Sequence, residues 1–264
     1  MTSILFAAVK ATLQQFAQDP RYLNAIPGFL LALHTWGRNL ILHPHLHVLL
    51  SHGGLNTDDK WVVPTKKILF PQKPIMMVYR GKLLEMVRKA LDSEELILPP
   101  SIEDFQAKGL LNKLGRKEWV VYFCKRYDHA RGVAKYLSRY VKSGPFKNSQ
   151  ICSVDNQRVA FRYKSHTTGR VEKLSLSVDD FIKRLMEHVP LPGKPSVRYC
   201  GLYTSTMRAR LNLARKHFGQ PERLLRKTLP WQDYLDELGH APVCEVCGLP
   251  LYHVDIAQRI DVAA

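Results

Sequence analysis

The chain has 264 residues, 45% of them hydrophobic and 23% charged, enough for one sizeable globular core. No apolar run reaches the roughly 18 residues of a membrane span, and the opening residues carry neither a basic n-region nor an A-x-A-like cleavage site. This reads as a cytoplasmic protein without a membrane partner. Thirty-nine Lys and Arg against twenty-three Asp and Glu give a net charge of +16, which favours a polyanionic partner because each neutralised phosphate releases counterions.

A helix is expected from Ser3 to about Gln18, with Leu5, Ala8, Val9, Leu13 and Phe16 on its apolar face, ended by Asp19-Pro20. Phe29–Trp36 and Leu40–Leu50 read as two buried strands joined by a tight turn at Gly37-Arg38-Asn39. Residues 55–115 read as an insertion. It holds short strands near Trp61–Val63 and Ile68–Phe70, a helix from about Pro74 to Leu91, and a looser polar connection over Asp104–Lys117. A further strand is expected over Trp119–Cys124 and a helix from about His129 to Val141. Val159–Lys164 and Val171–Leu176 alternate like a hairpin. A helix follows from Ser177 to His188, with Asp179 and Asp180 at its positive end. Val197–Tyr203 suits a last strand and Ser205–Phe218 a basic helix. The fold class expected is α+β, a central, mostly antiparallel sheet flanked by helices.

The positive charge is uneven. Residues 113–147 carry ten Lys and Arg against Glu118 and Asp128, and residues 198–227 carry eight against Glu222. A nucleic-acid face would draw on these two stretches.

The most informative segment is His43-Pro44-His45-Leu46-His47. On a strand, alternate side chains share a face, so the three histidines point one way while Leu46, Val48 and Leu50 point to the core. Imidazoles rooted about 7 Å apart on one strand face can share a metal ion. A lone histidine is more often structural, but three in five residues inside an apolar strand point to metal.

The second constellation is Lys135-Tyr136-Leu137-Ser138-Arg139-Tyr140-Val141-Lys142. Four residues apart on a helix, Tyr136 and Tyr140 present their phenols on one face, with Lys135, Arg139 and Lys142 beside them. Such a pair by itself is more often packing. Next to a metal site it has a use. A phenol with a pKa of about 10 is a poor nucleophile, but a divalent cation can polarise a scissile phosphate and nearby positive charge favours phenolate. The phosphotyrosine formed keeps the energy of the broken bond, so the strand can be rejoined without ATP.

His45-Leu46-His47 and Tyr136-x-x-x-Tyr140 resemble the histidine–hydrophobe–histidine and two-tyrosine motifs of HUH endonucleases. His34-Thr35-Trp36-Gly37, Trp119-Val120-Val121-Tyr122, Phe181-Ile182-Lys183-Arg184, Glu187-His188-Val189-Pro190 and Arg198-Tyr199-Cys200-Gly201-Leu202 fall in the order seen in the two-tyrosine rolling-circle insertion-sequence transposases of the IS-ninety-one type. The resemblance covers most of residues 4–220. It implies a catalytic domain over 1–220, with 221–264 as a tail. It further implies a sheet of HUH type carrying the histidines, with the tyrosine helix across it. By the same resemblance His45 and His47 hold Mg²⁺ or Mn²⁺ with a third polar ligand that no motif fixes; His43, on the same strand face, and His34, on the neighbouring strand, are the candidates. Tyr136 and Tyr140 attack single-stranded DNA at element ends and target to give 5′-phosphotyrosine links, in a bacterial, nucleoid-associated protein. Transposases of this type usually begin with a cysteine-rich zinc-binding segment; none precedes the motifs here, so the expectation is a form without it.

Five cysteines do not suggest a disulfide framework. Cys124, Cys152 and Cys200 sit in apolar or strand-like contexts. Cys244 and Cys247 form a CxxCG knuckle, half of a structural Zn²⁺ site that His240 or His253 could complete. Arg208 and Arg215, seven apart on the basic helix, are candidate DNA-phosphate contacts, and Tyr199, Tyr203 and Trp36 are expected in the core. The rival readings are a rolling-circle replication initiator or relaxase with the same chemistry, a non-catalytic DNA-binding remnant, and a cupin-like metalloenzyme, which lacks the expected series of short strands. The sequence carries no signal of oligomeric state.

Overall fold

A computed structural model of the chain describes residues 2–65, 69–124, 126–127, 129–141, 144–165, 167–223, and then Gly239, Val243, Cys244 and Gly248. Met1–Gln220 forms one compact unit and Pro221–Ala264 a second. Among the described residues no helix is long and apolar enough to cross a membrane.

The first unit starts with α1 (Thr2–Gln18), whose buried stripe of Phe6, Leu13 and Phe16 follows helical spacing. Two nine-residue strands follow, β1 (Gly28–Trp36) and β2 (Leu42–Leu50). The odd-numbered side chains of β1, Phe29, Leu31 and Leu33, pack with Leu46, Val48 and Leu50 of β2 and with α1 into the main core. The opposite face of both strands is therefore free for polar work. After the short ribbon of β3 (Gly54–Leu55) and β4 (Trp61–Val62), α2 (Gln72–Asp92) and α3 (Asp104–Arg116) build a second apolar cluster. There Leu83, Leu84, Val87 and Leu111 close on Ala8 of α1.

α4 (Ala130–Tyr140) precedes the second sheet, whose strands are β5 (Ile151–Val154), β6 (Arg158–Lys164) and β7 (Val171–Ser177). α5 (Val178–Met186) begins where the Ser177 hydroxyl accepts from the Asp180 N–H, a standard N-cap. β8 (Val197–Gly201) returns to pair with β1, giving a central antiparallel sheet of order β2-β1-β8. Last comes α6 (Arg208–His217), where Ala214 closes on Leu55 and Leu202. The architecture is α+β.

Several expectations are corrected. Trp119–Cys124 joins no sheet, and the polar stretch expected to connect loosely from Asp104 is the helix α3, opened by a capping box between Glu103 and Gln106. β5 carries no alternating pattern and is missed by sequence. The helix after Ser177 stops at Met186 rather than His188. β2 is half-exposed rather than buried. Cys152 lies in a strand as expected, though exposed, and Cys200 is buried, whereas Cys124 is exposed and joins no strand. Tyr199 is exposed as well. The strand expected at Ile68–Phe70 lies partly outside the described residues.

The two sheets meet at the β1–β2 turn. Leu40 adopts φ +63°, a costly conformation for a branched residue, yet it is fully buried among Phe161, Leu176, Phe146 and Phe181. Buried His188, just beyond α5, donates from Nε2 to the Leu40 carbonyl at 3.1 Å, so its Nδ1 is free to accept from the Thr35 hydroxyl, also at 3.1 Å. Leu40→Ala is expected to lose about 2–5 kcal/mol of stability, the usual range for emptying a packed leucine site. Urea unfolding monitored by circular dichroism checks this. A loss below about 1 kcal/mol, inside the range of surface substitutions, would mean that the second sheet does not hold the turn.

Candidate metal and tyrosine site

The register of β1 against β2 places His34 directly opposite His45 and Ala32 opposite His47. Paired residues on one face keep their Cβ atoms about 5 Å apart, and His47 follows two residues along from His45. One ligand atom from each of His34, His45 and His47 lies within 4.8 Å of the others. His43 shares the strand face but is exposed at its rim; His34 is buried and belongs to the cluster.

Two of the rings have fixed tautomers. His34 Nε2 lies 2.8 Å from the Tyr140 carbonyl and His45 Nδ1 lies 2.8 Å from the His43 carbonyl. A carbonyl can only accept, so each of these nitrogens carries its proton and the other nitrogen of each ring keeps a lone pair. A metal-ligating histidine needs this second hydrogen bond. Burial, then the neighbouring His34 and His45, pulls His47 down to about 4, and burial also lowers His34. His34 and His47 are thus held toward the neutral form. The donor set fits a divalent ion tolerant of nitrogen, such as Mn²⁺, better than Mg²⁺, which prefers oxygen.

α4 lies over this face with its two tyrosines inward. The Tyr140 ring stacks on His47 at 3.9 Å between centroids, and Tyr136 follows 4.7 Å from Tyr140. The two phenols differ. Tyr136 donates its hydroxyl to the Val48 carbonyl at 3.1 Å, and burial, followed by Cys124, Tyr140 and Tyr127, pushes it well above the ordinary tyrosine value. Tyr140 is bound to the histidines through both its ring and its backbone carbonyl. On the other side of the cluster Trp36 stacks on His34 at 4.2 Å.

The family model "Y2_Tnp: Putative transposase" matches residues 28–210. The chain belongs to that transposase family. It is 31% identical over 204 residues to "Putative transposase y4qJ" of Sinorhizobium fredii (strain NBRC 101917 / NGR234), a match covering 75% of this chain and 51% of the relative. It is 28% identical over 182 residues to "Transposase for insertion sequence element IS801" of Pseudomonas savastanoi pv. phaseolicola, covering 66% of this chain and 42% of that protein. The match thus spans about half the length of these transposases. No solved structure gives a significant match. The matched region of the transposase family includes all three histidines and both tyrosines, in keeping with the IS-ninety-one-type resemblance.

The other residues singled out from sequence are dispersed. Lys135 and Arg139 are exposed on α4; Lys142 lies outside the described residues. α6, with Arg208 and Arg215, follows the β8 end that pairs with Gly28. That end is six residues, roughly 20 Å at strand rise, from His34. Arg210 on the same helix is tied to Asp59 and the Asn56 carbonyl. Cys247, His240 and His253 are outside the described residues; near them Gly248, at φ +70°, donates its N–H to the Cys244 carbonyl at 2.8 Å. Sequence reasoning missed Tyr127 as a neighbour of the site, its only signal being proximity to the tyrosine motif; Trp36 and His188 stood within the family blocks but were not placed at the site.

In the metal-free protein the His47 imidazole is expected to titrate near pH 4 by NMR. Its folded value lies below the 6.5 of a free imidazole, so the unfolded chain takes up the proton first. The associated stability is full above about pH 6.5 and is lost as pH falls through about 4. A midpoint at or above 6.5 would contradict the buried placement.

Proposed function

We propose that this chain carries the nuclease and strand-transfer centre of a rolling-circle transposase, cutting single-stranded DNA through tyrosine. The observation that carries this reading is the stacking of Tyr140 on a three-histidine cluster, with Tyr136 one helical turn away.

In this reading His34, His45 and His47 hold the divalent ion and Lys135 and Arg139 meet backbone phosphates. Bound there, a cation supplies Lewis-acid polarisation of the scissile phosphate and offsets the charge that develops on it. Tyr140 attacks first. Its phenolic oxygen forms a bond to phosphorus, the bond from phosphorus to the 3′ oxygen breaks, and the phenol proton ends on that oxygen. The products are a 5′-phosphotyrosine and a free 3′-hydroxyl. Because the exchange replaces one phosphodiester by another, a 3′-hydroxyl can reverse it and join a new strand. Tyr136, its hydroxyl held by Val48, stays in reserve for the second cut once that hydrogen bond is released.

The reading is checked by incubating the protein with end-labelled single-stranded DNA from a panel of candidate element ends and Mn²⁺, then running a denaturing gel. A slow-migrating protein–DNA adduct is expected. It disappears with EDTA and in Tyr140→Phe, while Tyr136→Phe still forms the first adduct but makes at least tenfold less joined product. No adduct across the panel, with DNA binding intact, would favour the non-catalytic DNA-binding reading. Equal, complete loss of the adduct in both variants would end the division of labour.

A further inference from the structure

Between α3 and α4 the chain runs to the tyrosine helix through a segment, Trp119–Cys124, that joins no sheet. Its side chains alternate. Trp119 joins the α1–α2–α3 cluster and donates its indole N–H to the Leu114 carbonyl; Val121 packs on the main core, and its carbonyl accepts from Gln72. The residues between and after these point the other way, leaving Val120 94% and Tyr122 82% exposed. Inward anchors thus hold an outward aromatic in water.

A second aromatic follows where the segment meets α4. The Tyr127 ring lies on Gly132, where an added Cβ would come within 2.6 Å of it. That close approach requires glycine in the first turn of the helix. Tyr127 also bonds through its side chain to Cys124, and its ring centre is 6.1 Å from that of Tyr136. It is fixed on three sides and still 39% exposed. A row of rings thus runs from Tyr127 through Tyr136 and Tyr140 to His47.

The surroundings decide what would cover these rings. Residues 116–139 contain seven Lys and Arg against Glu118 and Asp128, and Arg126, Arg131 and Lys135 are exposed. Flat apolar rings among surplus cations match a ligand with flat bases on a polyanionic backbone. A second copy of this chain would bring the same positive charge and be repelled.

We propose that Tyr122 and Tyr127 form a base-stacking platform that holds single-stranded DNA beside the tyrosine pair. This rests on the nuclease reading for its placement. The platform grips bases independently of sequence, since every base has a π-face, and sets the strand before a phosphate reaches Tyr140.

The test uses the whole chain in EDTA, so that binding is read without cleavage. A single-stranded oligonucleotide carries 2-aminopurine at successive positions, a base whose fluorescence is quenched on stacking. Wild-type protein is expected to quench a short run of positions. Tyr122→Ala and Tyr127→Ala are expected to lose that quenching and to bind roughly ten-fold or more weakly, the scale of one lost stacking contact. Tyr122→Phe and Tyr127→Phe are expected to keep both, because stacking needs the ring and not the hydroxyl. An oligonucleotide abasic over that run should bind weakly to wild type and be insensitive to the alanine changes. Tyr122, largely in solvent, can be replaced without touching the core, so its variant carries the proposal if Tyr127→Ala unsettles α4. Unchanged binding and quenching in Tyr122→Ala would overturn the platform, as would a dimer in sedimentation that the alanine change dissolves while DNA affinity stays the same. The gel assay reports separately on the nuclease reading: quenching without any adduct would leave the platform standing and remove the chemistry.

Discussion

The register of one antiparallel pair organises this transposase-family chain. His34 meets His45 across β1 and β2, and His47 follows on the same face, so backbone hydrogen bonds set the spacing of the cluster before any side chain chooses a rotamer. A slip of β2 by one residue would turn His45 and His47 toward α1 and Leu46, Val48 and Leu50 away from the core. Burial of Phe29 and Leu31, with the partly buried Leu33, Leu46, Val48 and Leu50 packed against them, opposes that slip, because fully burying one such side chain contributes about 1.5–3 kcal/mol. The polar face is held in place by the apolar one.

The end of the hairpin that bears His34 is also the end gripped by the second sheet. Leu40 sits under Phe161 and Leu176, and His188 bridges its carbonyl to Thr35, the neighbour of His34. The strained φ of Leu40 is tolerated because the surrounding cluster and two hydrogen bonds determine it. Trp36, stacked on His34 and facing His188, extends that support to the cluster. The other end of β1, with β8, α6 and the Arg210–Asp59 pair, shares none of these contacts.

Much of this was legible in the sequence. Apolar runs flanking a turn exposed β1 and β2, period-two alternation exposed β6 and β7, helical spacing exposed α1 and α4, and the His-x-His-x-His run and paired tyrosines named residues that the fold brings together. What stayed illegible depended on long-range partners. The choice of His34 over His43 is set by cross-strand register, which no local spacing encodes. Trp119–Cys124 has the composition of a strand, but its alternation records packing on α2 and α3 rather than a ladder, and α3 lacked an apolar stripe wide enough to stand out. β5 is exposed along its whole length, so nothing in its side chains marks it. Arg208 and Arg215 lie on α6, which follows the end of β8 that pairs with Gly28, away from the histidines.

The hydrogen bond from His34 to the Tyr140 carbonyl has an electrostatic consequence. Tyr140 is the last residue of α4, and its carbonyl belongs to the group of acceptors left over at a helix C-terminus, where the macrodipole places about half a negative charge. The helix therefore turns its negative pole to the imidazoles. A phosphate arriving at the bare cluster meets that pole, whereas a cation is drawn to it. At the bare cluster the polarity of this single short helix therefore favours a cation over a phosphate.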